Sequence, residues 1–223
     1  MARDVNPLAA ARRGRRVADT ESRLLQAASR LFIRDGYSAT TLAAVAEAAG
    51  VAPRTVYVRF GTKAALLKRA VDVALVGDTS PVDVAGREWM QRSMTAPTLD
   101  ERIAAGARGA RDMMHRVGPL LAVAAQAEPV EPVIAAAAQA GREATRDSLR
   151  RFWTTAAADG LLGPGADVDW LAQTAALVGA AQTYLLAART LGWDPDAYER
   201  WLILTWHRLA AAAASTRTDP PPA

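Results

Sequence analysis

The stretch from Thr40 to Lys63, TTLAAVAEAAGVAPRTVYVRFGTK, sets two short helical patterns on either side of a tight glycine turn, an arrangement that few folds accept. Leu42, Val45, Ala46 and Ala49 fall at i, i+3, i+4 and i+7 behind a threonine cap, so they share one face of a helix. Gly50 ends that helix, because glycine takes a positive φ cheaply just past a C-terminus, and Pro53 suits the first turn of the next one. Val56 and Phe60, at i and i+4, turn the second helix inward. Arg54, Thr55, Tyr57, Val58 and Arg59 remain outside, a surface of cations and hydroxyls suited to a groove and its phosphates. The pattern is that of a DNA-binding helix-turn-helix.

Charge is distributed to match. Residues 1 to 70 carry 13 Lys/Arg against 5 Asp/Glu, whereas the remainder carries 14 against 18. A polyanion partner for the basic end follows, although RNA or a membrane surface would meet the same condition. Ala and Leu dominate the 223 residues and β-branched runs are scarce, which predicts an all-α protein with a small domain joined to a larger one. There is no cysteine, so disulfides, thiol nucleophiles and Cys-based zinc sites are excluded; this fits a cytoplasmic protein. The arginines near the N-terminus precede no apolar segment of the secretory kind. Residues 170 to 188 carry no formal charge and would span roughly 28 Å as a helix. Gln173, Thr174, Gln182 and Thr183 make that run too polar for a membrane span, so a buried helix is expected.

Along the chain, residues 1–18, with Arg3, Arg12, Arg13, Arg15 and Arg16, read as a flexible basic arm, either a solvated tail or a follower of the DNA backbone. Residues 19–69 form the helix-turn-helix domain. Its first helix carries Leu24, Ala27, Ala28, Leu31 and Phe32 from about Thr20 to Gly36. A further helix starts at Thr62 and carries Leu66, Leu67, Ala70, Val71, Ala74 and Leu75 to Gly77; its first turn places Lys63 where a phosphate would be favoured. Residues 70–214 form the second domain and 215–223 a flexible tail. Helices are predicted near 84–94, 98–117, 119–128, 131–159, 167–191 and 194–213.

Leu24 to Phe32, Gly36, Thr40-Thr41, Val45-Ala46, Ala49-Gly50-Val51, Thr55-Val56-Tyr57, Phe60 and Lys63 to Leu67 together resemble the N-terminal domain of the tetracycline-repressor (TetR) family. The resemblance implies a homodimer on a palindromic double-stranded operator, released by a small molecule held in the larger C-terminal domain. It places Thr41, Tyr57 and Lys63, with the adjoining Thr40, at phosphates, and Pro53, Arg54, Thr55 and Arg59 on the base-facing surface. Two residues depart from the pattern: Ala52 stands at a common Ser-like cap, and Ala43 at a longer polar residue, which shifts base reading toward Arg54 and Arg59.

In that family the C-terminal helices surround a pocket. Trp89, Met90, Met94, Met113, Met114, Phe152, Trp153 and Tyr184 supply large adaptable side chains there, with His115, Gln126 and Gln182 as polar candidates, and an apolar or aromatic effector is favoured. Leu171, Thr174, Val178, Ala181 and Leu185 make one apolar seam and Trp201, Leu202, Thr205 and Leu209 another; paired between subunits they would form a four-helix dimer interface. The segment GLLGPG at 160–165 follows a helix and lacks the strand that a phosphate loop needs. No G-x-S-x-G, H-E-x-x-H or Walker motif is present, so no catalytic residue, metal or cofactor is expected. The remaining alternative is an all-helical protein that binds or transforms a small molecule and whose basic end is incidental.

Overall fold

The computed structural model describes residues 7–77, 84 and 86–215, with side chains from Val17 onward and the terminal Ser215 in backbone only. Among them the chain forms ten helices and no strand: α1 Pro7–Ala39, α2 Leu42–Ala48, α3 Pro53–Phe60, α4 Lys63–Val76, α5 Glu88–Thr95, α6 Leu99–Ala127, α7 Pro132–Ala158, α8 Val168–Val178, α9 Ala181–Leu191 and α10 Pro195–Ser215. They fall into two units. One holds the described residues up to Asp72 together with Ala122–Ala135; the other holds Val73–Leu121 and everything from Ala136 on.

The first unit is built by local chemistry. Thr41 caps α2, its Oγ1 accepting from the Ala44 N–H at 3.1 Å. At the other end the Gly50 N–H donates to the Glu47 carbonyl and the Val51 N–H to that of Ala46, a pattern that needs the left-handed φ of +63° at Gly50. Ala52 offers α3 no side-chain cap, and Pro53 occupies the first turn, whose N–H would lack a helical partner in any case. Leu24, Ala27, Ala28 and Phe32 of α1 are buried with Val45 and Ala46 of α2, Val56 of α3 and Leu66, Leu67 and Ala70 of α4. The segment 122–135 adds Val123, Ala127 and Ile134 to the same unit. The domain expected at 19–69 therefore recruits a stretch far away in sequence.

The arm expected over 1–18 is helical from Pro7, because Leu8 to Arg16 is almost wholly Ala and Arg, strong helix formers, behind a proline at the start. Residues 1–6, and 216–223 of the expected tail, lie outside the described residues. Gly36 breaks α1, as its sequence position suggested, with φ 78° and ψ 177°.

The second unit differs from the predicted helices at three points. The helix at α5 starts at Glu88 rather than 84. The two helices expected over 98–128 are one, α6, which runs through Pro119; proline forfeits one backbone donor, while Val117, Leu120 and Val123 around it are buried and hold the helix together. The single helix expected over 167–191 is two, α8 and α9, bent by 48° at Gly179–Ala180. At that break the Thr183 hydroxyl donates to the Leu177 carbonyl at 2.6 Å and the Tyr198 hydroxyl to that of Val178 at 3.4 Å, so freed acceptors are satisfied. No single helix among the described residues is long and apolar enough to cross a membrane.

Helix α6 is the spine of this unit, and its glycines receive rings. A Cβ at Gly109 would lie 2.0 Å from the Trp89 ring of α5, one at Gly118 2.9 Å from Tyr184 of α9, and one at Gly106 3.3 Å from Trp206 of α10. Arg102 of α6 is 3% exposed; its Nε donates to the Ala96 carbonyl at 2.8 Å and its Nη2 to Asp159 at 2.5 Å. Sequence periodicity did not foresee a buried arginine.

Candidate nucleic-acid interface

Helix α3 presents Pro53, Arg54, Tyr57 and Val58 to solvent, with Tyr57 54% and Val58 76% exposed. Arg54 and Val58, one turn apart, share a face. Thr55 is half-buried beside them, and Val56 is fully buried. Arg54 forms no ion pair among the described residues, so its guanidinium is free to reach outward. Thr41 is exposed at the start of α2, where its hydroxyl also serves as cap.

Three of the residues expected on this surface are engaged by the protein itself. Thr40 is 2% exposed and its Oγ1 donates to the Gly36 carbonyl at 2.8 Å, which removes it from the surface; a hydroxyl so near the glycine break is used to close the corner between α1 and α2. Arg59 is turned toward α1 and bonded through Nε and Nη2 to Glu21, at 3.2 Å through Nε. The other oxygen of Glu21 accepts from Arg69 Nε at 3.0 Å. The hydrogen bond from Arg59, and that from Arg69, hold the Glu21 carboxyl below its usual range against the opposing pull of burial. Lys63 Nζ donates to the Tyr37 carbonyl at 2.7 Å and to that of Ser38 at 3.4 Å, and sits 4.2 Å from the centroid of the Tyr37 ring. It thus closes the C-terminal end of α1, where a cation is favoured.

Tyr37 links this corner to the recruited segment. Its hydroxyl donates to Glu131 at 2.6 Å, its N–H to Gln126 Oε1 at 3.4 Å, and its ring lies 6.1 Å from that of Phe32. Burial, then the Glu131 carboxylate, push the phenol well above its usual range, so it remains the donor. Gln126, expected at an effector site, is therefore in the helix-turn-helix unit. Neither Glu21 nor Glu131 was legible as a partner, since no local pattern links residues 38 or 94 positions apart.

In the second unit, a cavity of about 240 Å³ is lined by Leu75, Val76, Gly77, Val84, Arg87, Trp89, Asp112 and Arg116. Of the residues expected around an effector only Trp89 lines it, and charged groups line it where none was expected. Phe152, Trp153, Met114 and Tyr184 are instead buried core: Phe152 and Trp153 meet edge to face at 4.7 Å, and Tyr184 lies 5.1 Å from Tyr198. Their bulk was readable, but not which side chains the core would claim. Met94 and Met113 are half-buried, and Met90 places Sδ 3.8 Å from both Ser93 and Ser148. His115 and Gln182 are exposed.

The seams expected at a dimer interface are divided. Leu171 and Leu202 are fully buried within the chain, while Thr174, Val178, Ala181, Leu185, Trp201, Thr205 and Leu209 are half-buried. The 48° bend leaves Leu171, Thr174 and Val178 on α8 and Ala181 and Leu185 on α9. Leu177 at 74%, Leu186 at 56% and Leu204 at 49% exposed stand outside instead.

Two short helices on either side of a glycine turn, the second with an exposed face, form the helix-turn-helix of DNA-binding proteins; the chain also carries a larger helical unit. Residues 24–70 match the family model of the bacterial regulatory proteins of the tetR family, so this chain carries the tetR-family N-terminal domain. A search of curated proteins gives no match. Among solved structures, the chain is similar to MexZ of Pseudomonas aeruginosa, a key repressor responsible for antibiotic resistance: TM-score 0.62, 22% identity, 89% of this chain and 96% of that one. It is similar to a TetR-family transcriptional regulator of Streptomyces coelicolor, at 0.65, 19%, 88% and 97%. It is also similar to SmeT in complex with triclosan, at 0.64, 21%, 92% and 99%. At these identities the likeness establishes the TetR-regulator fold.

Proposed function

We propose that this protein is a homodimeric, sequence-specific DNA-binding transcriptional regulator, a repressor released from a palindromic operator by a small apolar or aromatic ligand bound in the second unit. The observation that carries the reading is the exposed face of α3. Arg54, free of any ion pair among the described residues, stands one turn from exposed Val58 on the basic end of the chain. A guanidinium fork suits O6 and N7 of guanine, and an apolar side chain suits the methyl group of thymine. Tyr57 and Thr41, both exposed hydroxyls, flank that face at the positions of backbone contacts. Lys63 and Arg59, already engaged within the protein, are secondary to this surface.

Arg54→Ala is expected to lower preference for the operator over random DNA by about 1–3 kcal/mol while leaving random binding nearly unchanged. Competition binding at fixed salt measures both; equal losses on the two DNAs would reject base reading by Arg54.

Dimerisation rests on exposed Leu177, Leu186 and Leu204 of α8, α9 and α10, which would be covered by a second copy. Repression and release follow the analogy with MexZ, a repressor, and with SmeT, which is seen with triclosan. The cavity beside Trp89 is the proposed effector site, and its apolar wall of Leu75, Val76 and Trp89 fits an aromatic molecule. An effector present at 100 times its dissociation constant should add about 2.7 kcal/mol of stability, visible as a raised melting temperature. A broad panel of aromatic compounds that moves the melting temperature nowhere would remove the effector from the scheme.

A further inference from the structure

Two arginines lie on the recognition helix, yet only one faces outward. Arg59 is held by Glu21, which reaches across from α1 and takes Arg69 of α4 on its second oxygen. The pair is largely shielded from solvent, with side chains 24% and 22% exposed, and it ties α3 to α1. It also has an electrostatic consequence for DNA binding. The unit must approach a polyanion, and Glu21 places a fixed negative charge against the base of the helix that would enter the groove. It takes Nε and Nη2, one bidentate edge of the guanidinium, and so keeps the Arg59 side chain turned toward α1.

We infer that Glu21 is a specificity-setting positioning residue: by holding Arg59 off the DNA backbone it suppresses sequence-independent binding and leaves discrimination to Arg54 and Val58. The inference rests on the DNA-binding reading above and adds to it a residue of α1 that does not itself touch DNA. Affinity for random DNA depends on how many phosphates are neutralised, each contributing about 0.9 to the slope of log K against log salt. Glu21→Gln keeps the shape of the side chain but releases its hold on the guanidinium. One further phosphate neutralised per subunit corresponds to about 8-fold tighter random binding at 0.1 M salt.

The test measures binding of the full chain to a random-sequence duplex across a salt series, for wild type, Glu21→Gln, Arg59→Gln and the double variant. Glu21→Gln is expected to steepen the slope by about 0.9, and to tighten random binding about 8-fold, for each bound subunit. The double variant is expected to return to the wild-type slope, and Arg59→Gln alone to leave that slope unchanged. This last result does not depend on whether Glu21→Gln folds. A flattened slope for Arg59→Gln would show Arg59 already on phosphates and overturn the inference. So would a wild-type slope for folded Glu21→Gln, or a steep slope that persists in the double variant. If wild type itself shows no salt-dependent binding to any duplex, the DNA-binding reading fails and this inference falls with it; if wild type binds and only the variant results differ, the inference alone fails.

Discussion

Trp153→Ala is expected to destabilise the second unit by about 3–5 kcal/mol, the range for removing a large aromatic side chain from a packed core. Trp153 is fully buried, meets Phe152 edge to face at 4.7 Å, and is the largest of the fully buried side chains. Its indole Nε1 has no hydrogen-bond partner among the described residues, so part of the benefit of burying the ring is offset by an unpaired donor. Trp153→Phe should consequently cost much less than Trp153→Ala, because it removes the orphan donor while keeping most of the apolar volume. Urea unfolding of the three proteins decides the matter. A loss below about 1 kcal/mol for Trp153→Ala would mean that the site is not core, and would return Trp153 to the wall of a cavity.

Gly109→Val is expected to cost about 1–3 kcal/mol through overpacking. A Cβ at Gly109 would stand 2.0 Å from Cε3 and 2.2 Å from Cδ2 of Trp89, the body of the ring rather than a mobile tip, so the indole must swing away. Valine and glycine differ by only a few tenths of a kcal/mol in helix propensity, which leaves the clash as the deciding effect. The same substitution in a Trp89→Ala background should then cost close to nothing. A cycle of thermal or urea unfolding measurements tests this, and equal costs in the two backgrounds would contradict the seating of Trp89 on α6. Since Trp89 also lines the 240 Å³ cavity, the substitution should alter effector binding there as well.

The parts of the molecule that were legible in the sequence are those decided by neighbours along the chain. Thr41, Gly50 and Pro53 specify where α2 ends and α3 begins, through hydrogen bonds and φ angles confined to a few residues. Arg54 and Tyr57 were readable as exposed for the same reason: their helix phase is fixed by buried Val56. What was not legible is long-range. The partners of Arg59, Lys63 and Thr40 all come from α1 and its C-terminal end, so three cations and hydroxyls assigned by position alone turn out to bond within the protein. Apolar period could likewise place Leu171 and Leu177 on the same helix but not decide which faces inward; Leu171 is buried and Leu177 is 74% exposed. The bend at Gly179 depends on acceptors being satisfied by Thr183 and Tyr198, the second of them on another helix.

The regulator reading divides labour between the two units. Under the proposed function Arg54 and Val58 would face the bases, Glu21 would set how strongly the rest of the surface attracts phosphates, and the second unit would supply pairing and effector binding. A ligand changes DNA affinity only as far as it prefers one arrangement of the subunits over another, so effector and operator must weaken each other reciprocally. Selection of bound fragments from genomic DNA by the purified protein at near-physiological salt tests the central claim most directly. The account predicts enrichment of a few fragments sharing two inverted half-sites about one helical turn apart, roughly 34–36 Å, each with a guanine next to a thymine. Recovery of fragments without any common sequence, at the level of random DNA, would contradict it.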